Sequence, residues 1–187
     1  MTTVLITGGS KGIGKSTALA LTKTFDNILI TYNSSEVEAE TTKSEIQALG
    51  ADSEAYQLDI ADTKSVKNLI KEVSEKYGQI DVLISNAFGK SVFKPHAFVD
   101  ESEYDTMFQQ VKGTFFLLQH ASNILKDSGR IITISTSGTA MDVPNGGLYS
   151  GAKSAIEKFS LGLSKELSQR KISVNVVSPG VTETESL

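Results

Sequence analysis

Apolar residues in this chain fall into two patterns. Short β-branched runs alternate with longer stretches in which apolar positions recur at helical spacing. The short runs predict strands at 4–7, 27–32, 53–58, 82–85, 130–135 and 173–177, and the longer ones predict helices at 13–25, 36–49, 63–77, 102–125 and 148–169. A helix between successive strands is the mark of a βαβ crossover, so the expectation is a doubly wound α/β parallel sheet covered on both faces. Gly50, Gly78 and Gly129 stand where helices are expected to end. No repeat or low-complexity tract divides the chain, and residues 1–187 read as a single domain.

Sheets of this Rossmann-like kind bind ligands at the carboxyl ends of their strands. The chemically suggestive residues collect there. Residues 7–14, with Gly8, Gly12 and Gly14, follow strand one; Asp59 and Ile60 follow strand three; Asn86 and Ala87 follow strand four. Ser135, Thr136 and Ser137 close strand five, and Pro179-Gly180 follows strand six. Glycines between a strand and a helix permit a tight turn and let the backbone approach a pyrophosphate at the helix N-terminus. Ser10, Lys11 and Ile13 belong to the same loop. A plain strand-to-helix turn is the competing explanation for the glycines taken alone.

Composition narrows the functional classes. The formal charge of −4, without a long basic tract, argues against a nucleic-acid partner. The absence of cysteine excludes disulfides and thiolate metal sites and fits a cytoplasmic protein. No metal site is expected, because the two histidines, His96 and His120, have no carboxylate partners evident in the sequence. No apolar run approaches the roughly 20 residues of a membrane span, and the N-terminus does not have the pattern of a secretory signal.

Tyr149 and Lys153 lie four residues apart on the fifth predicted helix and so share a face. A phenol titrates near 10, and a neighbouring ammonium lowers it by roughly one to three units, which suits a general acid. A hydroxyl from Thr136 or Ser137 can hold a carbonyl oxygen while Tyr149 protonates it. Strand two ends at Tyr32-Asn33-Ser34-Ser35, with no acid where NAD-selective sheets grip the ribose. Asn33, Ser34 and Ser35 can donate to a 2′-phosphate, with Lys11 adding positive charge, so NADP(H) is the expected cofactor.

Together these residues resemble the short-chain dehydrogenase/reductase family. Residues 7–14 are similar to its TGxxxGxG, Asp59 to its adenine-contacting aspartate, and Ser85-Asn86-Ala87 to its NNAG. Tyr149 and Lys153 match its YxxxK, and Pro179-Gly180 its PG motif. The wording is nearest to the 3-oxoacyl-acyl-carrier-protein reductase branch. The resemblance implies hydride transfer from NADPH to a ketone or 3-oxoacyl carbonyl, with Tyr149 as acid and Lys153 holding the nicotinamide ribose and tuning the phenol. It also implies that Val181 and Thr184 fix the carboxamide, and that the protein forms a homodimer or homotetramer through its long helices, where Phe115-Phe116-Leu117-Leu118 is strongly apolar.

Three departures stand out. The position of the family's serine falls on Thr136, with Ser137 one step on. The family's helix asparagine is Gln110, whose backbone carbonyl can still anchor a relay water. Family members also continue past the PG motif to a covering segment and another strand, whereas the given sequence stops at Leu187, so six strands are expected with the usual last strand absent. These departures motivate an alternative: a catalytically impaired nucleotide-binding protein of the same fold. The substrate is expected to be a small-molecule or acyl-thioester carbonyl compound, in a pocket walled by Phe88, Phe93, Met141 and Val143. Arg170, Lys171 and Lys126 are candidate contacts for an acyl carrier, with Asp127 opposing.

Overall fold

The computed structural model describes residues 1–182. Its strands are β1 (Thr3–Ile6), β2 (Asn27–Tyr32), β3 (Asp52–Gln57), β4 (Ile80–Ser85), β5 (Leu125–Ile134) and β6 (Ser173–Val177). They form one sheet in the order β3-β2-β1-β4-β5-β6, with every pairing parallel. The helices between them are α1 (Gly12–Ala20), α2 (Glu36–Ala48), α3 (Thr63–Tyr77), α4 (Glu101–Ile124) and α5 (Gly147–Glu166). The chain builds outward from β1 through β2 to β3, then returns to place β4 on the other side of β1. That reversal opens a crevice at the carboxyl ends of β1 and β4.

Side-chain alternation along β1 explains the two cores. Leu5 joins Leu29, Leu83 and Ile131 beneath α3 and α4, while Val4 and Ile6 join Ile28, Ile30 and Ile84 beneath α1 and α2. All of β1's apolar side chains are fully buried, as befits a strand covered on both faces. A third cluster of Val92, Met107, Val111, Ala152 and Ile156 joins α4, α5 and the segment after β4. This cluster seats the helix that carries Tyr149 and Lys153.

The expected elements are present, with boundary corrections. α1 ends at Ala20 and passes into a 3-10 turn, Leu21–Lys23, rather than continuing to residue 25. α4 begins at Glu101 because Asp100 and Glu103 form a reciprocal capping box. β5 starts earlier than expected: Leu125 pairs with Ile80, and the register then shifts before Arg130 meets Val82. Gly129 therefore ends no helix but lies in this irregular opening, where a Cβ would stand 2.8 Å from the Lys126 carbonyl oxygen. Gly50 and Gly78 do follow helices and carry positive φ.

One expected docking feature is misplaced. Lys126 and Asp127 lie at the opening of β5, and Arg170 follows α5, so all three sit at the amino edge of the sheet, opposite the crevice. Lys126 pairs with Asp81 at 2.9 Å, and Arg170 binds Asp127 and the Ser122 carbonyl at 2.9 and 2.7 Å. These cations fasten the turn into β5 and do not serve the pocket mouth. No helix among the described residues is long and apolar enough to cross a membrane.

Candidate active site

The glycine loop is held between the two strands that flank β1. From β2, the Thr31 hydroxyl accepts from the Gly8 amide at 3.0 Å and the Thr31 carbonyl accepts from the Gly9 amide at 2.9 Å. From the end of β4, Asn86 Nδ2 donates to the carbonyls of Thr7 and Gly8, each at 3.0 Å. The buried Thr7 hydroxyl in turn accepts from the amides of Asn86 and Ala87, both at 3.0 Å. A Cβ on Gly14 would fall 2.1 Å from the Gly8 carbonyl oxygen, so only glycine lets α1 start this close to the loop. Gly8 and Gly12 adopt positive φ. Lys11 is the N-cap of α1 and makes no side-chain cap, leaving the helix's first amides free for an anion.

Around this cradle lie the other expected contacts. The Ser10 carbonyl accepts from Thr42 of α2 at 3.1 Å, tying α2 to the loop that carries Lys11. Asn33 and Ser34 are exposed beyond β2, and Ser35 caps α2 without a side-chain hydrogen bond, so these polar groups are free for a ligand. The sequence reading passed over Glu36, an exposed acid that opens α2 directly after Ser35. Asp59 is exposed and accepts from the Ala61 amide at 2.9 Å, while Ile60 is buried. Gly113 of α4 passes so close to the Ile60 carbonyl that a side chain there is sterically excluded. Pro179, Gly180 and Val181 follow β6, and the Pro179 carbonyl accepts from the Ser137 amide at 2.8 Å. Thr182 lines a surface groove with Gly12, Ile13 and Ser16. Thr184 lies outside the described residues.

α5 brings Tyr149 and Lys153 to the crevice. Lys153 is 4% exposed, donates to the Ile134 carbonyl at 3.1 Å and stands 4.2 Å from the Phe88 ring centroid. Burial pulls its ammonium down to about 8, opposed by the negative charge of Glu157. Tyr149 is half-buried, its ring 6.0 Å from that of Phe88 and 5.1 Å from that of Phe93. Burial pushes the phenol above its ordinary value, with the nearby Thr136 hydroxyl opposing the rise. This corrects the expectation that Lys153 depresses Tyr149: the ammonium is committed to the Ile134 carbonyl and the Phe88 face.

Of the two candidate hydroxyls, Thr136 is the one whose influence reaches Tyr149, and it accepts from the Gly138 amide at 3.2 Å. Ser137 opens the 3-10 turn Ser137–Thr139. Gln110 is buried and uses its side chain on the neighbouring loop. Its amide donates to the carbonyls of Lys90 and Thr106 at 3.2 and 3.3 Å, and its oxygen accepts from the Gly89 amide. Its backbone carbonyl accepts the Thr114 hydroxyl at 2.9 Å.

Glu157 was not anticipated. One oxygen of its carboxylate accepts from Ser135 at 2.5 Å, Thr139 at 2.8 Å and Ser178 at 3.4 Å. The available signal was its spacing, a further four residues beyond Lys153, but an acid on a polar helix reads as solvent-facing.

A cavity of about 750 Å³ adjoins α5, lined by Lys94, His96, Met141, Val143, Ser150 and Ser154, among others. It opens beside the phenol rather than around it, since Gly147, Ser150 and Gly151 form its wall while Tyr149 faces the phenylalanines. Met141 and Val143 thus line the cavity as expected. Phe88 and Phe93 are not in its wall and pack on Tyr149 instead.

Comparison with known proteins agrees with this geometry. The family model "short chain dehydrogenase" matches residues 2–187. A hydroxynaphthalene reductase-like protein, Arp2, of Metarhizium brunneum is 37% identical over 183 residues, covering 97% of this chain and 68% of the relative. The short chain dehydrogenase/reductase AacuN of Aspergillus aculeatus is 37% identical over 184 residues, covering 97% and 69%. Among solved structures, a short chain dehydrogenase of Burkholderia cenocepacia in complex with NADP superposes with TM-score 0.92 at 30% identity, covering 99% of this chain and 76% of that one. With the fold, the glycine cradle and the Tyr149–Lys153 pair all in place, the chain belongs to the short-chain dehydrogenase family.

Proposed function

We propose that the protein is an NADPH-dependent carbonyl reductase in which Tyr149 is the general acid. The cradle fits a dinucleotide: Gly14 clears the backbone, α1 offers unpaired amides, and Lys11, Asn33, Ser34 and Ser35 can bind a 2′-phosphate. Two structural relatives are described with bound NADP. When bound, the coenzyme supplies the hydride that reduces a carbonyl carbon.

The protein's own residues then handle the oxygen. Thr136 orients the carbonyl oxygen and Tyr149 protonates it. A developing alkoxide is more basic than a phenolate, so the proton moves downhill even from a phenol raised by burial. The raised phenol also keeps its proton at neutral pH, the form a general acid needs. Lys153, still charged up to about pH 8, would turn from the Ile134 carbonyl to hold the ribose side of the coenzyme and to balance the phenolate left behind. Asp59 and Ile60 would border the adenine, Asn86 and Ala87 the ribose side, and Pro179, Gly180 and Val181 the carboxamide. Gln110 braces the loop beside the pocket.

The aromatic surroundings of Tyr149 favour a flat, apolar ketone, in keeping with the hydroxynaphthalene reductase-like relatives. An acyl-carrier thioester is disfavoured because the candidate cations lie at the far edge of the sheet. The protein acts as a homo-oligomer formed on the α4–α5 face, where Phe115 and Leu161 are exposed.

The observation that carries the reading is Tyr149, set beside the Thr136 hydroxyl and one helical turn from a buried lysine. Tyr149→Phe tests it: coenzyme affinity should persist while turnover of aromatic ketones falls by about a hundredfold or more. Parental turnover in the variant removes Tyr149 as the acid. Coenzyme binding without turnover in the parent, across a broad ketone panel, favours the impaired nucleotide-binding protein.

A further inference from the structure

Glu157 joins three segments at one oxygen. Ser135 follows β5, Thr139 closes the turn after it, and Ser178 follows β6, yet all three hydroxyls donate to Glu157 Oε1. Thr136 lies between the first two donors, so the turn that carries its hydroxyl beside Tyr149 is fastened on both sides. Glu157 also follows Lys153 by four residues on α5, and its neighbour on that face, Ser160, shares a hydrogen bond with Thr133 of β5 at 2.9 Å. Successive turns of α5 therefore grip β5 through Lys153, Glu157 and Ser160.

We propose that Glu157 is a positioning residue of this site, holding the turn that presents Thr136 and placing a negative charge one helical turn from Lys153. The proposal rests on the reductase reading for its catalytic meaning. A solvent-facing helix acid has no reason to gather three hydroxyls from three segments, and Glu157 is half-buried.

The surroundings of Lys153 make the charge matter. β5 offers it the neutral Ile134 carbonyl, the loop after β4 offers the Phe88 ring, and α5 offers Tyr149 and Glu157. Among the groups acting on the ammonium, Glu157 is the charged one, and it opposes the effect of burial. Without it, Lys153 loses its proton at lower pH, and with that proton goes the positive charge that balances the Tyr149 phenolate.

Two substitutions separate charge from hydrogen bonding. Glu157→Gln keeps an oxygen that accepts hydroxyls but removes the charge, whereas Glu157→Asp keeps the charge on a shorter arm. The measurements are the pH profile of turnover with NADPH and an aromatic ketone, and the titration of the Lys153 Nζ resonance in protein labelled at lysine nitrogen, assigned by its loss in Lys153→Met. In Glu157→Gln the alkaline limb and the Nζ titration should both move down by about half a pH unit or more. Glu157→Asp should leave both near the parental position while kcat falls several-fold, because the turn bearing Thr136 shifts.

If Glu157→Gln leaves the Nζ titration unmoved, or lowers turnover by one factor at every pH, Glu157 is a structural staple and the proposal is wrong. The NMR titration does not require turnover. A displaced Nζ titration in a protein that reduces no ketone upholds the electrostatic link and overturns the reductase reading instead.

Discussion

Lys153 lies against Phe88, its ammonium 4.2 Å from the ring centroid and 96% of its surface removed from solvent by the surrounding fold. A buried cation with one carbonyl and one aromatic face is only partly compensated. Its proton affinity falls from 10.5 to about 8. Below pH 8 both the folded and unfolded chains carry the proton, and the folded state bears the full cost of the buried charge. Between about 8 and 10.5 the unfolded chain binds more protons, so this group's contribution to stability rises with pH through that window. Lys153→Met should therefore stabilise the coenzyme-free protein at pH 7 by about 1–2 kcal/mol, after allowing for the lost hydrogen bond to Ile134, while abolishing turnover. Thermal melts at pH 7 and pH 10 check it: the gain over the parent should shrink at the higher pH, and a destabilised variant at pH 7 contradicts the account.

Thr7 links β1 to the end of β4 through a hydroxyl that accepts two backbone amides. Valine has the same shape without the acceptor, so Thr7→Val leaves the amides of Asn86 and Ala87 without their partner. The expected cost is about 1–3 kcal/mol, with weaker NADPH binding because the crevice loses its bracing. Thr7→Ser restores the acceptor and should recover most of both, as read by chemical denaturation and coenzyme titration.

The strands and helices were legible because β-branched runs and helical periodicity are local signals, whereas the strand order, with its reversal between β1 and β4, rests on pairings between distant segments. The opening of β5 was not, since Lys126-Asp127-Ser128-Gly129 reads as a turn and the pairing of Leu125 with Ile80 depends on a distant strand. At the site, residues carrying a motif were readable, but their partners were not. Thr7 was seen only as part of a glycine loop, because its partners lie 79 and 80 positions away. Phe88 read as a pocket wall, although it packs on Lys153 and Tyr149. The tuning of Tyr149 was assigned to Lys153 on helix spacing and on the family resemblance, and neither tells which way an ammonium turns.

The α4–α5 face predicts the assembly. Phe115 and Leu161 are 41% and 53% exposed, and Phe115 packs edge-on to Phe159 at 5.1 Å, forming a firm apolar surface across both helices. Leu161→Arg should shift the protein from oligomer to monomer in light scattering while leaving its circular dichroism unchanged. A parent that is already monomeric at micromolar concentration contradicts this reading.

Gln110 supplies the last prediction. Its amide group reaches Gly89, Lys90 and Thr106 together, bracing the loop between β4 and the 3-10 turn at His96–Phe98 against α4. Asparagine is shorter by one methylene and cannot span the same partners, so Gln110→Asn frees the Gly89 amide and the Lys90 carbonyl. Both lie on exposed residues and can turn to water, which limits the stability loss to about 1 kcal/mol. The effect on function should be selective. The loosened loop carries Phe88 and Phe93, which flank Tyr149, whereas the glycine cradle is braced independently by Thr31 and Asn86. The KM for the ketone should rise several-fold with NADPH affinity unchanged, a split that steady-state kinetics and coenzyme titration resolve. If asparagine instead raises kcat at unchanged KM, glutamine at this position impairs the chemistry and Gln110 is no brace.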